Sequence, residues 1–215
     1  MNKLVIFDLD GTLLDTLPDI SYYVNQTLVK FGYPTHEDDK IMQFIGNGAR
    51  TLIKNALPNG TSEKVVDQCL EYYNNVYTQS NSPRTRLFDG VKQVVSSLKA
   101  GGYYTAILTN KPQMTTDVIY ERYMLNMKID KVVGQRDGVK IKPDPQTTLQ
   151  ILKEFNVSKQ NAYLVGDGET DVLTAINAGI NGISALWGYR TKAQLELAGS
   201  KHFAKSVFEL LNLIK

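Results

Sequence analysis

Apolar and polar positions fall along this chain in blocks with two different periods. The first block is Leu4-Val5-Ile6-Phe7, followed by Asp8-Leu9-Asp10 and closed by Gly11. Four apolar residues in a row read as a strand buried on both faces, which is the habit of parallel sheets. From about residue 15 to 81 the period is helical. Ile20, Tyr23, Val24, Thr27, Leu28 and Phe31 recur at helical spacing, behind Thr16 as the expected N-cap and Pro18 in the first turn. Gly32-Tyr33-Pro34 breaks that run, and Thr35 is the next expected N-cap. Ile41, Met42 and Ile45 form a stripe that Gly46-Asn47-Gly48 interrupts, and a further helix is expected over about 49–57. After Pro58-Asn59-Gly60 a longer helix carries Val65, Val66, Cys69, Leu70, Tyr73 and Val76 on one face.

From Leu87 onward helices and strands alternate. A helix opens at Asp89-Gly90 and closes at Gly101-Gly102, a C-cap position. Strands are expected at 104–108, 129–133, 163–165 and 183–186, with a short one near His202-Phe203-Ala204. Helices are expected from Pro112 to about 125, from near Pro145, from motif residues after 167 to Gly179, and over 191–198 and 206–214. Strand, crossover helix and strand repeated in this way predict an α/β fold with a doubly wound, mostly parallel sheet. Residues 1–14 and 83–215 would form the core domain. Residues 15–82 would be an all-helical insert after the first strand, at the C-terminal edge of the sheet.

Composition narrows the function classes. A hydrophobic share of 42% and a charged share of 21% in 215 residues are those of an ordinary globular protein. The net charge is +2 without a dense Lys/Arg run, so nucleic acid is not indicated. No apolar run is long enough to span a bilayer and no signal-like segment opens the chain, so no membrane partner and a cytoplasmic location are expected. Cys69 is the only cysteine, which excludes an internal disulfide, and Asn75 stands where a cysteine-phosphatase loop needs arginine. His36 and His202 are too few and too scattered for a zinc site.

The candidate chemistry lies at the strand ends. Asp8 and Asp10 are separated by the strand period, so both side chains can point the same way. Such a pair repels unless a cation intervenes. Thr109-Asn110-Lys111 follows the second core strand, Gly166-Asp167-Gly168-Glu169-Thr170-Asp171 follows a later one, and Lys142 precedes Pro143-Asp144-Pro145. Open α/β sheets bind ligands at these carboxyl ends. The inventory suits a carboxylate nucleophile, a phosphate cradle, a countercharge and a magnesium site.

Asp8-Leu9-Asp10-Gly11-Thr12-Leu13-Leu14-Asp15-Thr16 resembles motif I of the haloacid dehalogenase superfamily. Thr109-Asn110 resembles its motif II, Lys142 its motif III, and Gly166-Asp167 through Asp171 its motif IV, in the same order along the chain. Ile45-Gly46-Asn47-Gly48-Ala49-Arg50 and Leu186-Trp187-Gly188-Tyr189-Arg190 carry a narrower likeness to the phosphoglycolate phosphatases within that superfamily. Gly168 departs from the pattern, where serine is commoner.

The resemblance implies a magnesium-dependent phosphomonoester hydrolase with a helical cap, acting through an aspartyl-phosphate on a small phosphorylated metabolite such as 2-phosphoglycolate. Asp8 would be the nucleophile, Asp10 the general acid and base, and Lys142 the countercharge. Thr109 and the Asn110 amide would hold phosphate at a helix N-terminus, with Arg50 pairing a substrate carboxylate. Asp8, Asp167 and the Asp10 backbone carbonyl would hold Mg²⁺, with Asp171 acting through water or as an outer partner. Thr12 would support a turn, Glu169 would face solvent, and Lys111 reads as a surface lysine outside the site. A phosphosugar mutase or a pyrophosphatase shares the scaffold. A dehalogenase would need neither Asp10 nor Asp167, and a non-catalytic phospholigand-binding protein would not need the full set of acids. Oligomeric state is not legible.

Overall fold

The computed structural model describes residues 2–80 and 82–215. Its centre is a six-stranded parallel sheet. The strands are β1 (Lys3–Phe7), β4 (Tyr103–Pro112), β5 (Lys131–Gln135), β6 (Ala162–Gly166), β7 (Asn181–Ala185) and β8 (Phe203–Ala204). Their spatial order is β5-β4-β1-β6-β7-β8. Chain direction across the sheet therefore reverses between β1 and β6, and a crevice opens beyond the carboxyl ends of those two strands. Asp8 follows one and Asp167 follows the other.

The apolar run of β1 is buried on both faces, as its sequence predicts. Val5 and Phe7 belong to one core with Ile107, Val165, Val91, Val94 and Leu98. Leu4 and Ile6 belong to the other, with Ala106, Leu108, Ile151, Leu152 and Leu164. The two cores divide at the strand period. Helices α5 (Val91–Ala100) and α6 (Gln113–Tyr123) pack on β4 and β5, and α8 (Glu169–Ala178) packs on β6 and β7. Helix α7 (Gln146–Glu154) packs on α8, and α9 (Lys192–Leu197) and α10 (Leu210–Leu213) complete the cover. The expected closing helix over 206–214 is a single 3₁₀ turn followed by α10.

Between β1 and β4 the chain runs through α1 (Leu17–Lys30), α2 (Asp38–Met42), α3 (Gly48–Ala56) and α4 (Glu63–Thr78). Helix α1 packs on α2 and α4, and α3 packs on α4 and on β4. A two-stranded antiparallel ribbon of β2 (Leu14–Asp15) and β3 (Arg86–Leu87) ties the entry of this segment to its exit. Two residues per strand leave no periodic signal, and the sequence reading has no counterpart for it. Asp19 reinforces the same junction: its fully buried Oδ2 accepts from the amides of Arg84 and Thr85 and from the Thr85 hydroxyl.

Two caps differ from expectation. Thr16 precedes α1, but its hydroxyl makes no capping bond and donates to Asp10 instead. Thr35 caps nothing; α2 begins three residues later behind Glu37, with Asp38 and Asp39 in its first turn, where a helix N-terminus favours acids. Among the described residues no helix is long and apolar enough to cross a membrane.

Candidate active site

The end of β1 fixes the first two acids. The Asp8 amide donates to Val165 O, which extends the β1–β6 pairing to the point where the chains part. The chain then turns, with Gly11 N donating to Leu14 O at a Gly11 φ of +79°. A side chain at Gly11 would meet the Asp167 carboxylate at 2.3 Å, and one at Gly188 would meet Asp167 Cβ at 2.3 Å. Glycine is required at both places by close approach, and at the first by backbone conformation as well. Asp167 is thereby gripped on two sides. Its Oδ1 accepts from Thr12 Oγ1 at 2.7 Å and its Oδ2 from the Tyr189 amide at 2.8 Å.

Asp171 stands in the first turn of α8, four residues after Asp167. Its Oδ2 accepts from the Gly168 amide at 3.0 Å and its Oδ1 from Lys142 Nζ at 2.6 Å. The Lys142 ammonium also lies 2.9 Å from Asp8 Oδ1. Asp8, Asp167 and Asp171 each offer an oxygen within 4.8 Å of the others. Three carboxylates against one ammonium leave a nearly buried cluster two charges short of neutral. That is the deficit a divalent cation fills, and magnesium takes carboxylate oxygens of this kind. The donor set therefore fits Mg²⁺.

The electrostatics follow from that deficit. Burial pushes the Asp8 carboxyl up to about 7, with Asp171 adding to the effect and Lys142 opposing it. Burial and the neighbouring charges of Asp8 and Asp171 push Asp167 up to about 8. Burial alone would lower the Lys142 pKa, but Asp171 and Asp8 more than offset it and hold it above the usual lysine value. Both raised acids keep protons in the folded chain that the unfolded chain releases near the ordinary aspartate value of 3.8. Stability from this source is fully present below that value and falls as pH rises through about 7–8. Thermal melts of metal-free protein should therefore show a falling melting temperature from pH 5 to 9, and saturating Mg²⁺ should flatten the fall. Parallel curves with and without Mg²⁺ would contradict the assignment of the cluster.

Asp10 takes no part in the carboxylate cluster with its side chain. Lys111 Nζ lies 3.0 Å from each of its oxygens, and Thr16 Oγ1 donates to Oδ1 at 2.7 Å. Any share of Asp10 in a metal site is left to its backbone carbonyl. Lys111 itself is buried, against the expectation of a surface lysine. The reason is that β4 does not stop at residue 108. It runs on to Pro112, so Thr109 and Lys111 lie one strand period apart, as Asp8 and Asp10 do. For the same reason Thr109 and Asn110 sit on a strand end and not at a helix N-terminus; α6 begins only at Gln113.

Thr109 is buried at the mouth of the site, its Oγ1 accepting from the Lys111 amide at 3.2 Å. The Asn110 side chain is spent on structure. It donates to Gly46 O and Lys142 O and accepts from the Lys142 amide, fastening the third motif and the helical segment to β4. Arg50 is not brought to the site. Its half-exposed guanidinium pairs with Glu63 and Asp67 on α4. Glu169 is partly exposed and pairs with Arg190 Nε at 2.9 Å. Arg190 also donates to the carbonyls of Met42 and Ile45, and the Tyr189 hydroxyl accepts from the amides of Thr16 and Leu17. A cleft above Asp8 is lined by Asp10, Thr109, Asn110 and Lys111 from the sheet side and by Ile45, Gly46, Ala49, Leu52, Tyr73 and Tyr77 from α3, α4 and the loop before them.

The haloacid dehalogenase-like hydrolase family model matches residues 5–185. The chain belongs to that family. This haloacid dehalogenase-like hydrolase is 30% identical to the phosphoglycolate phosphatase of Vibrio parahaemolyticus over 99% of this chain and 96% of the relative. It is 33% identical to phosphoglycolate phosphatase 1 of Pseudomonas aeruginosa over 87% of this chain and 70% of the relative. The crystal structure of a proposed phosphoglycolate phosphatase from Lactobacillus delbrueckii subsp. bulgaricus superposes with a TM-score of 0.91 at 25% identity, covering 100% of this chain and 99% of that one. The chain is thus an enzyme, and its relatives place it among the phosphatases of the family.

Proposed function

We propose that this hydrolase is a magnesium-dependent phosphomonoesterase that acts through a phosphoaspartate on Asp8. Its proposed substrate is 2-phosphoglycolate or a similar small phosphorylated acid, met in the cytoplasm. The observation that carries the reading is the Asp8 carboxylate at the switch point between β1 and β6, with Lys142 at 2.9 Å and the two acids of the motif after β6 beside it. The substrate class rests on the names of the relatives.

Phosphoryl transfer asks for positioning and charge neutralisation more than for covalent chemistry from the protein. Asp8 attacks phosphorus and forms an acyl phosphate, splitting one hard displacement into two. Lys142 balances charge on Asp8 and on the transferring group. Thr109 and the Asn110 amide hold phosphoryl oxygens. Asp10 gives its proton to the leaving oxygen and then takes one from the attacking water. Asp8, Asp167, the Asp10 carbonyl and, through its neighbours, Asp171 would hold Mg²⁺, which when bound supplies positive charge against the phosphoryl oxygens.

Helices α1–α4, within residues 15–82, are proposed to act as a cap over this centre. Supporting that reading, Ile45 and Gly46 line the cleft, and Arg190 and Asn110 fasten the carbonyls of residues 42–46 to the sheet domain. Closing the cleft would exclude water from the acyl phosphate until the leaving group has gone.

The test is a panel of small phosphomonoesters assayed with excess chelator and after readdition of metal. Hydrolysis should vanish with the chelator and return with Mg²⁺, and Ca²⁺ should restore it poorly because it takes looser coordination. Undiminished hydrolysis under excess chelator would rule the reading out.

A further inference from the structure

The cleft above Asp8 does not contain the arginine that the sequence offers for it, because Arg50 is spent on Glu63 and Asp67. The cation that lines the cleft is Lys111. Its side chain is 5% exposed, and its Nζ lies 3.0 Å from both Asp10 oxygens and 4.6 Å from the centre of the Tyr77 ring. An ammonium has three N–H donors. Asp10 takes two of them, and beyond it the ammonium meets only the face of the Tyr77 ring among the described residues.

A second donor stands in the same cleft. Tyr73 is buried there, and its hydroxyl makes no hydrogen bond among the described residues. Burial and the neighbouring Tyr77 hold its phenol well above the ordinary value, while Lys111 pulls the other way. The phenol is therefore a neutral donor at any working pH. The remaining lining from the helices is largely apolar: Ile20, Ile45, Ala49 and Leu52. Apolar walls with a few placed polar groups are what a selective small-molecule pocket shows.

Position links these groups to the leaving alcohol. Asp10 is the group that protonates the departing oxygen. An ammonium 3.0 Å from Asp10 would reach a substituent on the carbon next to that oxygen once an ester is bound. We propose that Lys111, with Tyr73 as a second donor, receives a carboxylate on the leaving alcohol, so that the cleft selects short phosphorylated acids over uncharged phosphomonoesters. This rests on the phosphatase reading above and assigns the part of the site that chooses the substrate. A lysine whose only task was to hold Asp10 would treat every ester alike.

The experiment compares kcat/KM for 2-phosphoglycolate and for 2-hydroxyethyl phosphate, which has the same carbon count and no carboxylate. Both are measured in wild type, Lys111→Met, Lys111→Arg and Tyr73→Phe. Wild type should prefer the acid. Lys111→Met should slow both esters, since Asp10 loses its partner, but the acid by a further 10–100-fold or so, as expected for a lost charged hydrogen bond. Lys111→Arg should recover part of the preference. Tyr73→Phe changes one atom in a packed ring and should cut the preference about 2–10-fold. A preference for the acid that survives both Lys111→Met and Tyr73→Phe would overturn the proposal. So would a wild-type enzyme that hydrolyses both esters without preference, while leaving the phosphatase reading intact. Failure of wild type on every ester would instead remove the phosphatase reading, and the proposal with it.

Discussion

Asp8→Asn is expected to abolish turnover, and Asp10→Asn to slow it without removing the covalent step. Asparagine at position 8 keeps the shape of the strand end but cannot form an acyl phosphate. The loss should be roughly 10⁴–10⁶-fold, the range seen when a covalent nucleophile is removed from an otherwise intact site. Asparagine at position 10 leaves Asp8 free to attack, yet the leaving oxygen and the attacking water lose their proton partner, for a loss of roughly 10²–10⁴-fold. With a good leaving group the first step needs no acid, so phosphoenzyme should accumulate in Asp10→Asn and not in Asp8→Asn. Melting curves separate chemistry from misfolding. Asp8 ionises only near 7 in the folded chain, so Asp8→Asn should raise the stability of the metal-free protein at pH 9, where it removes a buried charge. At pH 5 it should change little. Equal activity losses for the two variants, or a destabilised Asp8→Asn at pH 9, would contradict these roles.

Lys142→Met should produce the largest change in stability. Its ammonium is buried and is shared by Asp8 at 2.9 Å and Asp171 at 2.6 Å. Replacing one partner of a buried pair leaves the other charge uncompensated, at a cost of about 3–5 kcal/mol. The sign of the pH dependence follows from the acids left behind. Without the ammonium the Asp8 carboxyl, already held at about 7 by burial, is pushed further up, so the deficit is greatest at high pH and shrinks as pH falls below about 7 and that acid protonates. Activity should fall as well, by about 10²–10³-fold in kcat, the usual effect of losing one preorganised charge at a reacting group. Chemical denaturation at pH 5 and pH 8.5 measures the first effect. A variant as stable as wild type at pH 8.5 would show that Lys142 does not compensate the cluster.

Much of this molecule can be read from its sequence because the core elements obey one period each. The Leu4–Phe7 run, the alternation after residue 87 and the acids at strand ends all follow from local pattern, and the sheet has the predicted parallel form. What escapes the pattern depends on contacts distant in sequence. Thr109-Asn110-Lys111 looks like a polar hand-over from strand to helix, but helices from the segment between β1 and β4 cover it, and the strand continues with its lysine buried. Arg50 follows a glycine-rich turn and so invites a functional reading. Its partners lie thirteen and seventeen residues further on, on a helix that packs against its own. Thr16 has the residue type and position of a cap, yet the Asp10 carboxylate competes for its hydroxyl and wins. The grip of Gly11 and Gly188 on Asp167 is likewise invisible in one dimension, because their sequence positions are far apart and only the fold brings them to the same carboxylate.

Passage of the phosphoryl group through Asp8 is the step on which the proposed function turns. It is tested most directly by acid-quenching Asp10→Asn during turnover of a substrate with a good leaving group. Reduction of the trapped acyl phosphate with borohydride and peptide mass mapping then locate the modified residue. Homoserine is expected at position 8 and nowhere else, dependent on Mg²⁺ and absent when Asp8 is also replaced by asparagine. Modification at any other residue, or turnover that continues with no trapped acyl phosphate at all, would contradict it.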